Sequence, residues 1–153
     1  MSRLDELIQT LCPNGVEFAN LGDFASINKG QQLNLTKMTD DAPYPVLNGG
    51  IKPSGYFDQY NTEENTIAIS QGGASAGYVN FIETKFWAGA HCYVVRPKKS
   101  TIDNKFLYYF IKNSETEIQN AKYGAGIPGL NKSSLERLSL PIPPLPVQEE
   151  IVR

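Results

Sequence analysis

The first twelve residues alternate polar and apolar positions at helical spacing. Leu4, Leu7, Ile8 and Leu11 fall on one face, and Ser2 with Asp5 three residues later makes an N-terminal capping pattern. Pro13-Asn14-Gly15 stops this helix. From Val16 to about Arg96 the pattern changes to short β-branched and aromatic runs. Phe24 to Lys29, Tyr44 to Leu47, Thr66 to Ser70, Tyr78 to Ile82 and Cys92 to Val95 are predicted strands. Glycine turns separate them: Asn48-Gly49-Gly50, Ser54-Gly55, Gly72-Gly73 and Gly89. Such dense punctuation predicts short strands with tight corners rather than long hairpins.

Residues 104–121 return to a helical period, with Phe106, Leu107, Phe110 and Ile111 as a stripe that Ile118 extends. Tyr123 to Leu130 is predicted as a loop, and Ser133 to Leu138 as a short helical turn. Residues 140–146 are held extended by their prolines. Pro146 then suits the first turn of a helix beginning at Val147-Gln-Glu-Glu-Ile-Val-Arg. A segment this short needs neighbours to hold a helix. No internal repeat or low-complexity tract is present. The fold class expected is α+β, a body of short strands followed by a helical part.

Length and composition narrow the classes. At 153 residues and 16.9 kDa, with 41% hydrophobic residues, the chain is one domain able to bury its own core. No apolar run suits a membrane span, and the N-terminus lacks the apolar core of a signal peptide. Two cysteines, Cys12 and Cys92, make neither a disulfide framework nor a zinc site, so a reducing, cytoplasmic setting is the default expectation. The formal charge of −2 argues against a strongly basic nucleic-acid binder, but it averages unlike segments. Residues 31–66 set two lysines against five carboxylates, whereas residues 96–132 set seven basic groups against three. A basic segment of this kind marks either a phosphate-facing surface or a solvated helix face.

Two motifs suggest chemistry, and neither has the required context. Gly73-Ala74-Ser75-Ala76-Gly77 matches a nucleophile elbow, but that motif needs a following helix and a strand is predicted instead. Gly124-Ala125-Gly126-Ile127-Pro128-Gly129 matches a dinucleotide-binding fingerprint, yet a helix precedes it and Pro128 interrupts it. A glycine loop that approaches a ligand closely, flanked by Lys122 and Lys132, suits the second better. One histidine, His91, and two distant cysteines are too few for a metal cluster, and no cofactor is expected. The polar and aromatic residues on turns remain: Gln31, Gln32, Asn48, Lys52, Ser54, Tyr56, Gln71, Ser75, Tyr78, Trp87, His91, Lys122 and Tyr123. Gln and Asn pair with adenine, and Lys with guanine or phosphate.

Three stretches resemble the DNA-specificity subunit of type I restriction–modification systems. They are Tyr44-Pro-Val-Leu-Asn-Gly-Gly-Ile-Lys-Pro-Ser-Gly-Tyr-Phe-Asp-Gln-Tyr-Asn61, then Thr66-Ile-Ala-Ile-Ser-Gln-Gly-Gly-Ala-Ser-Ala-Gly-Tyr-Val79 continuing to Phe86-Trp-Ala-Gly-Ala-His-Cys-Tyr93, and Gly129-Leu-Asn-Lys-Ser-Ser-Leu-Glu-Arg-Leu-Ser-Leu-Pro-Ile-Pro-Pro-Leu-Pro-Val-Gln-Glu-Glu-Ile-Val152. The last is the most specific, resembling the junction between a target recognition domain and a long conserved helix.

The resemblance implies a β-helix-like N-terminal body with a C-terminal helical part. Residues 1–143 would be one target recognition domain, and 144–153 the start of a truncated spacer and dimerisation helix. It implies a non-catalytic reader of one half of a bipartite duplex DNA target, directing adenine methylation and cleavage by partner subunits. Those partners are methyltransferase subunits, the restriction subunit through the complex, and a second specificity half. The DNA-facing role is assigned to turns, through Gln31, Gln32, Lys52, Ser54, Tyr56, Gln71, Ser75, Lys122 and Tyr123, with Gly49, Gly72, Gly73 and Gly89 as structural corners. The alternatives are the specificity domain of a single-chain restriction–methylation enzyme, a self-pairing half-subunit, a protein-interaction module using residues 96–132, and a hydrolase using Ser75.

Overall fold

The computed structural model describes residues 1–120 and 130–153. The glycine motif at 124–129, together with Lys122 and Tyr123, therefore lies outside the described residues. Helix α1 (Arg3–Leu11) starts with the full capping box: Asp5 N donates to Ser2 Oγ at 3.1 Å, and Ser2 N donates to Asp5 Oδ2 at 3.2 Å. It buries no residue fully, and it packs on the last helix, α6 (Leu145–Val152). Between them run β1 (Phe18–Asn20), α2 (Leu21–Phe24), β2 (Ala25–Lys29), β3 (Tyr44–Leu47), β4 (Gly55–Phe57), β5 (Thr66–Ser70), β6 (Val79–Ile82), β7 (Trp87–Ala88), β8 (Cys92–Pro97), α3 (Asn104–Asn113), α4 (Glu115–Asn120), α5 (Lys132–Glu136) and β9 (Ser139–Pro141). No helix among the described residues is long and apolar enough to cross a membrane.

The α+β expectation holds. The central sheet has the order β2-β8-β5-β6, with antiparallel neighbours throughout. A smaller sheet, β4-β3-β7, contains the parallel pair β3 and β7, and β1 pairs with β9 across the chain's ends. Strand β5 is buried at all five positions because both its faces are covered. Ile67 and Ile69 face the main core with Ile27, Val79, Tyr93 and Val95, closed by Leu107, Ile111, Ile118, Leu130, Leu135 and Leu140. Ala68 faces the other way, with Cys92 and Val94 against Leu47, Phe86 and Ala88 of the smaller sheet region. Each large aliphatic side chain buried this way contributes about 1.5–3 kcal/mol.

Differences from the sequence pattern have local causes. The helix expected over 104–121 is two helices broken at Ser114. Its hydroxyl donates to Phe110 O at 3.1 Å, a bond that competes with continuing the helix. The strand expected from Phe24 begins one residue later, because 21–24 form a helical turn whose Leu21 N donates to Leu138 O at 2.8 Å. Edge strand β6 is protected by an ion pair. Val79 N donates to Glu115 Oε2 at 2.8 Å, and Lys112 Nζ donates to Val79 O at 2.8 Å and to Glu115 at 2.7 Å. Occupied backbone groups cannot recruit a foreign strand.

The α6 segment is held by one glutamine. Gln148 is fully buried. Its Oε1 accepts from Asp103 N at 2.7 Å, and its Nε2 donates to Thr101 O at 2.9 Å and to Pro143 O at 2.8 Å. This supplies the neighbours that a short helix needs. It also ties the proline lead to the N-cap of α3, where Asp103 Oδ2 accepts from Phe106 N.

Candidate nucleic-acid interface

Strand directions gather the turns at one end. Strands β2, β3, β5 and β7 run toward that end, and β4, β6 and β8 leave it. The connections at 30–34, 48–54, 71–78 and 89–91 therefore converge there. Backbone bonds lock them together. Gly30 N donates to Cys92 O at 3.1 Å, Gln31 N to Ala88 O at 2.9 Å, Gly89 N to Leu47 O at 2.8 Å and Gln71 N to His91 O at 2.9 Å. The close approach at residue 30 requires glycine, since a Cβ there would lie 1.9 Å from Ala88 O.

Side chains complete the platform. Asn48 Oδ1 accepts from His91 N at 2.8 Å, and Trp87 Nε1 donates to Gln31 O at 2.9 Å. The Ser70 hydroxyl donates to Gly49 O. His91 Nδ1 lies 3.1 Å from Gln71 Oε1, and Gln71 Nε2 donates to Leu130 O at 3.4 Å. Leu130 N returns a bond to Gln71 O at 2.8 Å. The Gly73–Gly77 turn joins two strands, with Gly73 at φ +75° and Gly77 at φ +92°. It is therefore a strand-to-strand corner, lacking the helix that a nucleophile elbow requires.

The structure brings Gln31, Gln32, Lys52, Ser54, Gln71 and Ser75 to this end. Gln31, Gln32, Lys52 and Ser54 are exposed, and Gln71 and Ser75 are half-buried. Tyr56 lies further along β4, opposite Pro45, and is 37% exposed. Lys122 and Tyr123 lie outside the described residues. Asn48 and His91, left out of the narrowed set, sit at the centre of the hydrogen-bonded turns. Their polarity on glycine turns was the only available signal, and it was shared with many neighbours.

Four of the described basic residues in 96–132 serve the fold. Lys98 Nζ donates to Gly22 O at 2.8 Å, Lys99 lies 4.8 Å from the Phe24 ring centroid, and Lys105 lies 4.1 Å from that of Phe81. Lys112 is held by Glu115. Arg96 differs. It is exposed and forms no ion pair among the described residues, and it lines a polar groove of 190 Å³ with Asn28, Lys29, Gly30, Gln31, Asn61, Thr62 and Val94. This groove opens along the central sheet from the turn end. A larger cavity of 630 Å³ lies at the opposite end of the sheets, walled by Leu11, Phe24, Thr101, Ile142 and Leu145 among others.

Reactive groups are scarce at the turns. Cys92 is buried beneath them, and burial pushes its thiol up to about 12, which keeps it neutral and unreactive at neutral pH. Among the described residues no group of three or more His, Cys, Asp or Glu side chains is placed to hold a metal.

A rigid sheet end that presents exposed amides, a lysine and an imidazole on packed glycine turns defines a recognition domain with loops as its contact surface. Residues 13–153 match the family model described as the type I restriction modification DNA specificity domain, and the chain belongs to that family. It is 35% identical over 123 residues to a type I specificity subunit of Mycoplasma pneumoniae, covering 80% of this chain and 32% of that protein. It is 27% identical over 152 residues to the type I restriction enzyme MjaVIII specificity subunit of Methanocaldococcus jannaschii, covering 92% and 35%. The crystal structure of a type I restriction–modification S subunit from M. genitalium superposes with a TM-score of 0.81 at 28% identity, covering 91% of this chain and 38% of that one. An HsdS subunit from Thermoanaerobacter tengcongensis shares the fold, with a TM-score of 0.71 at 19% identity, covering 97% and 40%. The chain thus spans about a third of the length of these curated relatives.

Proposed function

We propose that this chain is a non-catalytic reader of duplex DNA, recognising one half of a bipartite target in a type I restriction–modification complex. Adenine methylation and cleavage would be carried out by partner subunits. The observation that carries the reading is the convergence of four polar, glycine-rich turns at one end of a rigid sheet pair. Gln31, Gln32, Lys52, Ser54, Gln71 and Ser75 offer donors and acceptors of the types that base edges pair with. Arg96 in the adjoining groove suits a backbone phosphate.

Residues 1–143 form the recognition unit in this reading, and 144–153 open the spacer helix. The other end of the molecule suits the assembly partners. There α1 meets α6, and Ile8, Leu11 and Ile151 remain 37%, 42% and 43% exposed. A formal charge of −2 provides little phosphate neutralisation, so the isolated chain binds DNA with modest affinity and the methyltransferase subunit tightens it.

Selection from a random duplex pool, with and without the methyltransferase subunit, tests the reading. A short continuous half-site, sharpened by the subunit, is expected. Tight binding to every duplex alike would refute it, as would an absence of enrichment in both arms with folded protein and active subunit.

A further inference from the structure

The hydrogen bonds around His91 assign the tautomer of its neutral ring, with the proton on Nδ1 and the lone pair on Nε2. Gln71 Nε2 donates to Leu130 O at 3.4 Å, which sets the orientation of the amide and turns its Oε1 toward His91. The backbone reinforces this placement, because Leu130 N donates to Gln71 O and Gln71 N donates to His91 O. An amide oxygen only accepts, so the ring nitrogen 3.1 Å away, Nδ1, carries the proton. The neutral ring then has its lone pair on Nε2. The residue is exposed, its backbone is pinned by Asn48, and it lies at the centre of the converged turns.

We propose that His91 is a specificity-determining residue whose Nε2 accepts a hydrogen bond from a base amino group in the major groove. Its partner is the N6 amino group of adenine or the N4 amino group of cytosine, the groove's two donors. Guanine and thymine present acceptors at the corresponding edge positions and are disfavoured. Gln71 acts as the positioning residue, holding the tautomer without itself needing to touch the base. The inference rests on the reading that this end of the sheets faces duplex DNA.

Random-duplex selection with the wild-type chain, His91→Lys and Gln71→Leu tests it, with circular dichroism confirming the fold of each. The wild type is expected to enrich adenine or cytosine at one position. His91→Lys, which only donates, is expected to shift that position to guanine or thymine, and Gln71→Leu to flatten it. In the selected duplex, replacing that adenine by purine, or that cytosine by 2-pyrimidinone, removes the amino group. The replacement should weaken the wild type about fivefold, the value of one hydrogen bond, and leave His91→Ala unchanged. A wild type that selects a half-site while all variants keep the same preference at every position would overturn the inference and leave the proposed function standing. A folded wild type that selects nothing, both alone and with the active methyltransferase subunit, would overturn both.

Discussion

Replacing Gln148 should unlatch α6 from the body of the domain. The side chain is fully buried and makes three bonds, of 2.7, 2.9 and 2.8 Å, to Asp103 N, Thr101 O and Pro143 O. Gln148→Leu keeps much of the volume but strands one donor and two acceptors. Each stranded group costs about 1–3 kcal/mol, less where water reaches it. Two of the three bonds are only partly buried, so the expected loss is about 3–5 kcal/mol. For a domain of this size that lowers Tm by roughly 10–15 °C.

Gln148→Glu provides a sharper test. The carboxylate still accepts from Asp103 N but faces two carbonyl oxygens, so it is destabilised in its charged form. Its folded-state pKa is then raised, and stability present at low pH is lost as pH rises through that value. Urea unfolding of both variants between pH 4 and 8 measures this. A Gln148→Leu variant within 1 kcal/mol of wild type, or a Gln148→Glu variant with no greater pH dependence than wild type, would refute the reasoning.

Gly30→Ala should disrupt the turn end, because its Cβ would lie 1.9 Å from Ala88 O; a loss of about 1–3 kcal/mol in urea unfolding is expected, with a larger fall in duplex binding. Glu115→Ala strips the Val79 N–H of its acceptor and removes the carboxylate partner of Lys112; a loss of about 1–3 kcal/mol and a higher tendency to self-associate are expected by unfolding and light scattering. Cys92 should resist alkylation at pH 8 while Cys12, which is partly exposed, reacts. Burial raises the folded pKa of Cys92 from 9.0 to about 12, so its contribution to stability is complete below pH 9 and is lost as pH rises toward 12; Cys92→Ala should flatten that part of the stability curve.

The central strands were legible because they are apolar on both faces. Thr66–Ser70 and Cys92–Val95 read as strands from composition alone, the second running on to Pro97 in the structure, and the capped N-terminal helix read from its spacing. The single turn at 21–24 was not legible, since a long-range bond to Leu138 O holds it rather than its own four residues. The break at Ser114 was hidden inside a continuous helical period. For the site, glycine turns were a sound guide to the contact surface, but rank within it depended on register. Only the folded sheet places Asn48 and His91 together across 43 positions of sequence. The basic excess at 96–132 was ambiguous for a similar reason. A lysine over Phe24 or Phe81 and one exposed to a phosphate are the same letter in the chain.

Hydrogen–deuterium exchange of the chain with and without its selected duplex tests most directly which surface reads DNA. The account predicts protection at 30–34, 48–54, 71–78 and 89–91, with α3 and the α1–α6 end unchanged. Protection confined to 98–113, with the turns exchanging as in the free protein, would contradict it.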